Sequence, residues 1–452
     1  MRKTHLTQTR QPQPEDGTLE QGDRKVRRAI RGASFGYFVD QFDIYLPVVA
    51  LVPAMTYFQP ASVSQSTIVL LSAVVFGATQ VARPIGSVYF GNLADKIGRR
   101  KATIASTWGF SICTFLIGFL PGYHAVGLGG IIGLSVLRFC GGIFLGGQYS
   151  AAIPLAMEWS PPRRRGLYSG LITCSSTASN AVISLITLIL VSVMPANSPD
   201  SPYAVWGWRI PFFLGAGFGL MLLVYYQRKV EETETSKRPS GSKSALRELF
   251  TGPDRKSLLQ VFVLMTGVWL GTMMQTAQLP IIMKASMGVS ATAVSVITLV
   301  ASVIAASGYP LLGALSQRIG RRPFYIGYGT IMATCGAGSY YVCVNQDASN
   351  LPLIAALFVF QQVVISSAFG PIAAYLSERF PAAIRSTGYG VGYSVALIIP
   401  SFYAAYITGL SNLMPLKYTP IVFVVLAGCC IAIGAAWGPE TKNARLAGES
   451  AS

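Results

Sequence analysis

Twelve apolar stretches, each about as long as a membrane-crossing helix, alternate with short polar connections along the 452 residues. The hydrocarbon core of a bilayer is about 30 Å thick and takes roughly 20 mostly apolar helical residues to cross. The first six stretches cover 31–58, 66–90, 103–120, 126–155, 167–194 and 206–226. The second six cover 259–283, 291–315, 324–344, 351–375, 387–410 and 420–437. Backbone groups in lipid must satisfy their hydrogen bonds within the segment, so each stretch is expected to be a helix. An all-α membrane protein with twelve transmembrane helices follows. Charged residues are only 12% of the chain, about half the share of an ordinary soluble domain.

The net charge of +17 does not indicate nucleic-acid binding. Such binders gather Lys and Arg on one face of a soluble domain, whereas here the basic residues fall in short connections. If the N-terminal side is taken as inside, the tails and inside loops hold 30 of the 35 Lys and Arg. The opposite loops hold only Lys284 and Lys417, and Arg83, Arg138 and Arg209 lie within or at the edge of spans. The positive-inside rule then places both termini in the cytoplasm of a cell inner membrane or plasma membrane protein. The N-terminus is polar and Arg-rich and lacks the apolar core of a cleavable signal peptide. The first apolar stretch is therefore expected to remain. The seven cysteines all lie in apolar stretches, with neither metal spacing nor a disulfide framework, and read as small apolar fillers. His5 and His124 fall in a tail and a loop, which makes histidine a poor candidate for carrying protons.

The chain repeats itself. Residues 91–100 read GNLADKIGRR and residues 313–322 read GALSQRIGRR, an offset of 222. Glu158, Pro161 and Arg165 recur as Glu378, Pro381 and Arg385, an offset of 220. Two pseudo-symmetric six-helix bundles are expected, 31–226 and 258–438, joined by a connector at 227–257. Cytoplasmic tails cover 1–30 and 439–452.

The pattern of Gly91, Asp95, Lys96, Gly98, Arg99 and Arg100 between helices two and three resembles the signature loop of the major facilitator superfamily. Its degraded second copy, with Gln317 in place of Asp95, is also typical of that family. Within the superfamily, VDQFDIY in helix one, with Asp40, Asp43 and Tyr45, resembles the metabolite:proton symporters. The aromatic-acid:proton symporters are the second match. Arg83-Pro84-Ile85-Gly86, RFCGGIFLGGQYSAA in helix four and WGWRIPFF at residues 206–213 fit the first group. One departure is Gln148, which stands where that group often has glutamate, so a proton role for that carboxylate is absent or moved here. Helix five lacks the Gly-Pro motif of drug:proton antiporters, which leans toward import. Pro439-Glu440-Thr441-Lys442 resembles the close of sugar porters on four residues only. The resemblance implies alternating access, with a substrate site between the bundles near the bilayer midplane.

An ionisable group deep in a membrane is costly and marks a functional candidate. Four such groups, Asp40, Asp43, Arg83 and Arg138, lie in the first half. Depth along the helices matches Asp43 with Arg138 and Asp40 with Arg83, and the two aspartates share a helix face. The aspartates are the candidate proton carriers. Arginine offers a fixed fork of donors to a carboxylate, so Arg138 and Arg83 are candidate substrate contacts. Tyr45, Gln148, Gln275, Gln278, Gln361, Gln362, Tyr389 and Tyr393 are candidates for substrate selection by hydrogen bonding and stacking. Gly267, Gly271 and Pro280 are expected to let helix seven bend.

Gly91, Asp95, Gly98, Arg99, Arg100, Glu158, Arg165, Arg322, Glu378 and Arg385 are expected to form an inside gate. There Gly91 permits close helix approach, and Asp95 sits at a helix N-terminus or pairs with a base such as Arg165. Arg99 and Arg100 bond backbone carbonyls or carboxylates. Together these features lead to the expectation of a monomeric, proton-coupled importer of a small organic acid, without cofactor or metal. A zwitterion or sugar carrier and a non-transporting membrane sensor are the alternatives. An enzyme would need a nucleophile, metal cluster or nucleotide motif, which the sequence lacks.

Overall fold

A computed structural model describes residues 16–59, 65–195, 198, 200–233 and 245–446. Residues 1–15 of the N-terminal tail, including His5, 234–244 of the connector and 447–452 of the C-terminal tail lie outside the described residues.

The first bundle comprises α1 (Gly22–Phe58), α2 (Gln65–Ile97), α3 (Arg99–Ile117), α4 (Gly129–Trp159), α5 (Pro162–Val193) and α6 (Tyr203–Lys229). The second comprises α7 (Arg255–Ala285), α8 (Thr292–Ile319), α9 (321–344), α10 (Leu351–Glu378), α11 (Ala382–Ser411) and α12 (Leu416–Trp437). These twelve are the transmembrane helices, and short helices at Tyr123–Val126 and Ala245–Thr251 connect them. Within the bundles α2 and α3 pack on α4, and α7 and α9 pack on α12. The bundles meet where α5 crosses α8 and α2 crosses α11.

Several helices run past the apolar stretches that identify them. The segment GNLADKIGRR is not a loop: Asp95 and Lys96 end α2, Arg99 begins α3, and Gly98 alone intervenes. Gly98 has φ +103° and its repeat image Gly320 has φ +106°. Side chains other than glycine rarely adopt that region, so both glycines make the sharp turn between consecutive helices.

Gly91 allows α2 to touch α11. A Cβ placed there would lie 2.9 Å from the Thr387 Cα and 3.1 Å from the Ser386 carbonyl oxygen. Gly91→Val is therefore expected to destabilise this closed arrangement by about 1–3 kcal/mol, the usual cost of overpacking. It should raise the rate at which a cysteine at Ser386 reacts with a water-soluble thiol reagent. An unchanged rate would show that the crossing does not hold this face shut.

Proline and irregular turns break the long helices. In α7 the break is a wide π turn, Met274–Gln278, just before Pro280 in Leu279–Ala285. Such a turn absorbs the backbone bond that proline cannot make. Of the residues expected to bend α7, Pro280 sits at the break. Gly267 instead packs its backbone on the Ala427 carbonyl of α12, and Gly271 faces the Met332 side chain. In α11 the helix tightens at Val395–Leu397 and breaks again near Pro400 and Phe402.

Candidate functional site

Two buried charge pairs stand in the first bundle, as depth along the helices predicts. Arg138 Nη1 on α4 donates to Asp43 Oδ2 at 2.8 Å, and its Nη2 donates to the Asp43 carbonyl at 3.0 Å. Thr114 Oγ1 on α3 donates to Asp43 Oδ1 at 2.6 Å, so the carboxylate is held on both oxygens. Arg83 Nη2 on α2 donates to Asp40 Oδ2 at 3.0 Å. Asp40 is fully buried and Arg138 is 2% exposed. Losing one member of either pair would leave the other's charge buried and uncompensated, at a cost of about 3–5 kcal/mol.

The Asp40–Arg83 pair lies at the seam between the bundles. The Arg83 guanidinium rests 4.8 Å from the centre of the Tyr149 ring. The Tyr149 hydroxyl bonds Ser394 on α11, and the Tyr37 and Tyr393 hydroxyls share a hydrogen bond at 3.2 Å. Tyr393 stacks on Tyr389 at 6.0 Å and meets the edge of Trp269 at 5.2 Å. The Trp269 indole N–H donates to the Tyr393 carbonyl at 3.0 Å. The guanidinium therefore rests on one ring, Tyr149, of an aromatic cage to which both bundles contribute.

The structure divides the residues expected to select substrate. Arg83, Tyr389 and Tyr393 come together at the seam. Gln148 packs its amide against Gly36 of α1 and finds no hydrogen-bond partner among the described residues. Tyr45 packs with the apolar cluster of Phe42 and Leu46. Gln275 Nε2 donates to the Phe358 carbonyl at 3.4 Å, Gln361 is fully buried in the second bundle, and Gln362 donates to Ser366 at 3.0 Å. Gln278 is buried in the π turn of α7.

At the basic face two matching clusters close the seam. Glu158 at the end of α4 pairs with Arg99 of its own bundle and with Arg385 of the other. Thr233 Oγ1 also donates to it, at 2.8 Å. Glu378 at the end of α10 pairs with Arg321 Nε at 3.2 Å and with Arg165 of the other bundle at 3.4 Å. Thr441 Oγ1 donates to it at 2.9 Å. Asp95 does not meet Arg165. It caps the start of α11, accepting from the Ser386 and Thr387 backbone N–H groups at 3.1 and 2.9 Å and from Thr387 Oγ1 at 2.7 Å. Arg99 reaches across as well, to Ser386 Oγ at 2.9 Å and the Ala382 carbonyl at 3.0 Å. Arg100 stays in its own bundle, on the Tyr226 and Gln227 carbonyls.

A model of the Major Facilitator Superfamily matches residues 33–279 and 261–451, together nearly the whole chain. The chain belongs to the major facilitator superfamily. It is thus a multi-pass membrane protein and a secondary transporter that works by alternating access. It is 28% identical over 422 residues to the proline/betaine transporter of Escherichia coli strain K12, covering 89% of this chain and 82% of that one. It is also 28% identical over 415 residues to the citrate-proton symporter of Klebsiella pneumoniae, covering 89% of each. In fold it resembles the proton:xylose symporter XylE bound to 6-bromo-6-deoxy-D-glucose. The TM-score is 0.74 at 17% identity, over 93% of this chain and 97% of that one.

Within this superfamily fold, several partners escape a reading of the sequence alone. Tyr37, Tyr149 and Trp269 look like ordinary core aromatics until the bundles are assembled. Glu232 and Glu440 cap the helices that begin at Arg99 and Arg321. Glu232 accepts from the Arg99 and Arg100 N–H groups at 3.0 and 2.9 Å, and Glu440 from Arg321 and Arg322 at 2.8 and 3.0 Å. Burial alone would push the Glu440 carboxyl up. The backbone N–H groups of Lys442, Arg321, Arg322 and Thr441 outweigh that and leave it below the usual glutamate range. The signal was present as Glu-Thr at 232–233 and again at 440–441, each just after a bundle's last helix. Arg321, not the expected Arg322, is the buried arginine on Glu378, and it is Arg321 that sits 222 residues after Arg99. Arg322 lies exposed on the Ala436 carbonyl.

Proposed function

We propose that this transporter imports a small organic acid together with protons, across a bacterial inner membrane or comparable plasma membrane, as a monomer. The basic face is cytoplasmic on this reading, because 30 of 35 Lys and Arg lie on that side. One observation carries the proposal: Arg83 stands at the seam of the bundles with one carboxylate partner among the described residues, Asp40. A substrate carboxylate arriving between the bundles competes with Asp40 for that fork of donors. Protonation of Asp40 removes the competitor and admits the anion. Loss of the proton on the cytoplasmic side restores the pair and expels the substrate. Asp43, one turn along the same face, repeats the arrangement with Arg138 and is the second proton carrier. On this reading the clusters around Glu158 and Glu378 are the cytoplasmic gate, with their ion pairs as the contacts that hold it shut.

The Tyr149 ring against Arg83, with Tyr393 and Trp269 packed in line behind it, favours a second reading, a zwitterion with a cationic nitrogen. Such a group is attracted to aromatic faces, while its carboxylate takes the same arginine. The test is proton movement in reconstituted vesicles on addition of dicarboxylates, aromatic acids, betaines or sugars. External alkalinisation with a carboxylic acid is the expected result. Alkalinisation with betaines alone selects the second reading, and uptake without proton movement overturns both.

A further inference from the structure

We propose that the groove between α3 and α6, at the face opposite the gate, is a phospholipid site. It would hold the lipid phosphodiester on Arg209 and an acyl chain along Phe115, Phe119 and Phe213. The proposal does not rest on the transport reading. Arg209 begins the main run of α6 and is 8% exposed. Its Nη2 donates to the Leu120 carbonyl at 2.9 Å and to the Tyr57 hydroxyl at 3.0 Å. Three rings enclose its guanidinium: Trp208 at 4.7 Å, Tyr57 at 5.1 Å and Trp206 at 5.3 Å.

The other deep arginines, Arg83, Arg99, Arg138, Arg165, Arg321 and Arg385, each pair with a carboxylate. Arg209 has no carboxylate partner among the described residues, and its Nη1 has no hydrogen-bond partner there. A buried cation left so is a standing electrostatic cost that an anion would relieve. The space beside it is a groove of about 460 Å³ lined by Phe115, Gly118, Phe119, Trp206 and Phe213 as well as Arg209. Its walls are open toward the lipid, with Phe119 62% and Trp206 65% exposed. The Leu120 carbonyl and the Trp206 ring mark the level where helices leave the membrane, the depth of headgroups and aromatic belts. An anion with an apolar tail fits both parts; inorganic phosphate would meet one arginine and otherwise aromatic walls. The Trp206 ring, largely exposed, is the element that turns aside to admit the phosphate.

Purified protein titrated with dioleoyl phosphatidylglycerol and weighed intact by native mass spectrometry tests the site. Arg209→Gln is expected to lower retained lipid about tenfold, the scale of one charge-assisted hydrogen bond. Because Arg209 also ties α6 to Tyr57 of α1 and to the turn that follows α3, Phe119→Glu is the second variant. It leaves those bonds in place and sets a negative charge beside the groove, and it should lower lipid retention similarly. Equal retention by all three proteins overturns the proposal. So does competition by inorganic phosphate at equal concentration, which would mark a simple anion site. So does a groove filled instead by a second copy of the chain, seen as a dimer that Phe119→Glu dissociates.

Discussion

Asp40→Asn is expected to abolish substrate accumulation while leaving exchange of substrate across the membrane intact. Asparagine cannot release a proton, so the competitor for Arg83 is permanently neutral. Substrate affinity should then stop changing with pH, whereas in the parent protein it should fall as pH rises and Asp40 regains its charge. The asparagine amide still accepts from Arg83, and the Tyr149 ring still covers the guanidinium, so folding should survive. Accumulation driven by a pH gradient, exchange of labelled for unlabelled substrate, and binding across pH measure the three consequences. Accumulation that persists in Asp40→Asn would remove Asp40 from the coupling mechanism and leave Asp43 to account for it alone.

Glu158→Gln should open the gate. Glu158 is the shared partner of Arg99 and Arg385, and both guanidinium groups are buried. Breaking a buried pair by removing one partner costs about 3–5 kcal/mol. That cost falls only on the closed state, so the equilibrium should shift by a factor of about 10²–10⁴ toward the open one. A cysteine at Ser386, now beside Arg99 and Asp95, would become reactive to a water-soluble thiol reagent from the gate side. Transport should slow, because the carrier must close this face in every cycle. Glu378→Gln should act alike through Arg321 and Arg165. Unchanged reactivity in both variants would make these clusters static fasteners.

Much of this was legible in the sequence, and for physical reasons. Lipid leaves the backbone no partners but its own, so apolar length alone locates helices such as α4 and α12. A buried charge needs an opposite one at the same depth, which is enough to match Asp43 with Arg138 and Asp40 with Arg83. Helix ends were less legible, since the polar turns of α2 and α3 run beyond the apolar layer and look like a loop. The facing of neutral polar groups was not legible at all. Gln148 and Tyr149 are neighbours in sequence, yet one packs against Gly36 and the other reaches Ser394 of the other bundle. Nothing in their residue types distinguishes those directions. The aromatic cage likewise exists only between bundles, and each bundle's sequence describes half of it.

The paired clusters at Glu158 and Glu378 have a consequence for ancestry. Arg385 of the second bundle grips Glu158 of the first, and Arg165 of the first grips Glu378 of the second. That reciprocity is the mark of an isologous contact, the kind made by two identical subunits across a twofold axis. A single six-helix unit carrying Glu, Thr and two arginines at these positions would dock onto its own copy with both grips satisfied. The departures from that symmetry are then the places where fused copies diverged. Asp95 reaches across to α11, while its counterpart Gln317 turns back to Arg321 and the Lys442 carbonyl of its own half. That replacement makes the two halves of the seam unequal, and an unequal seam gives a duplicated machine a front and a back.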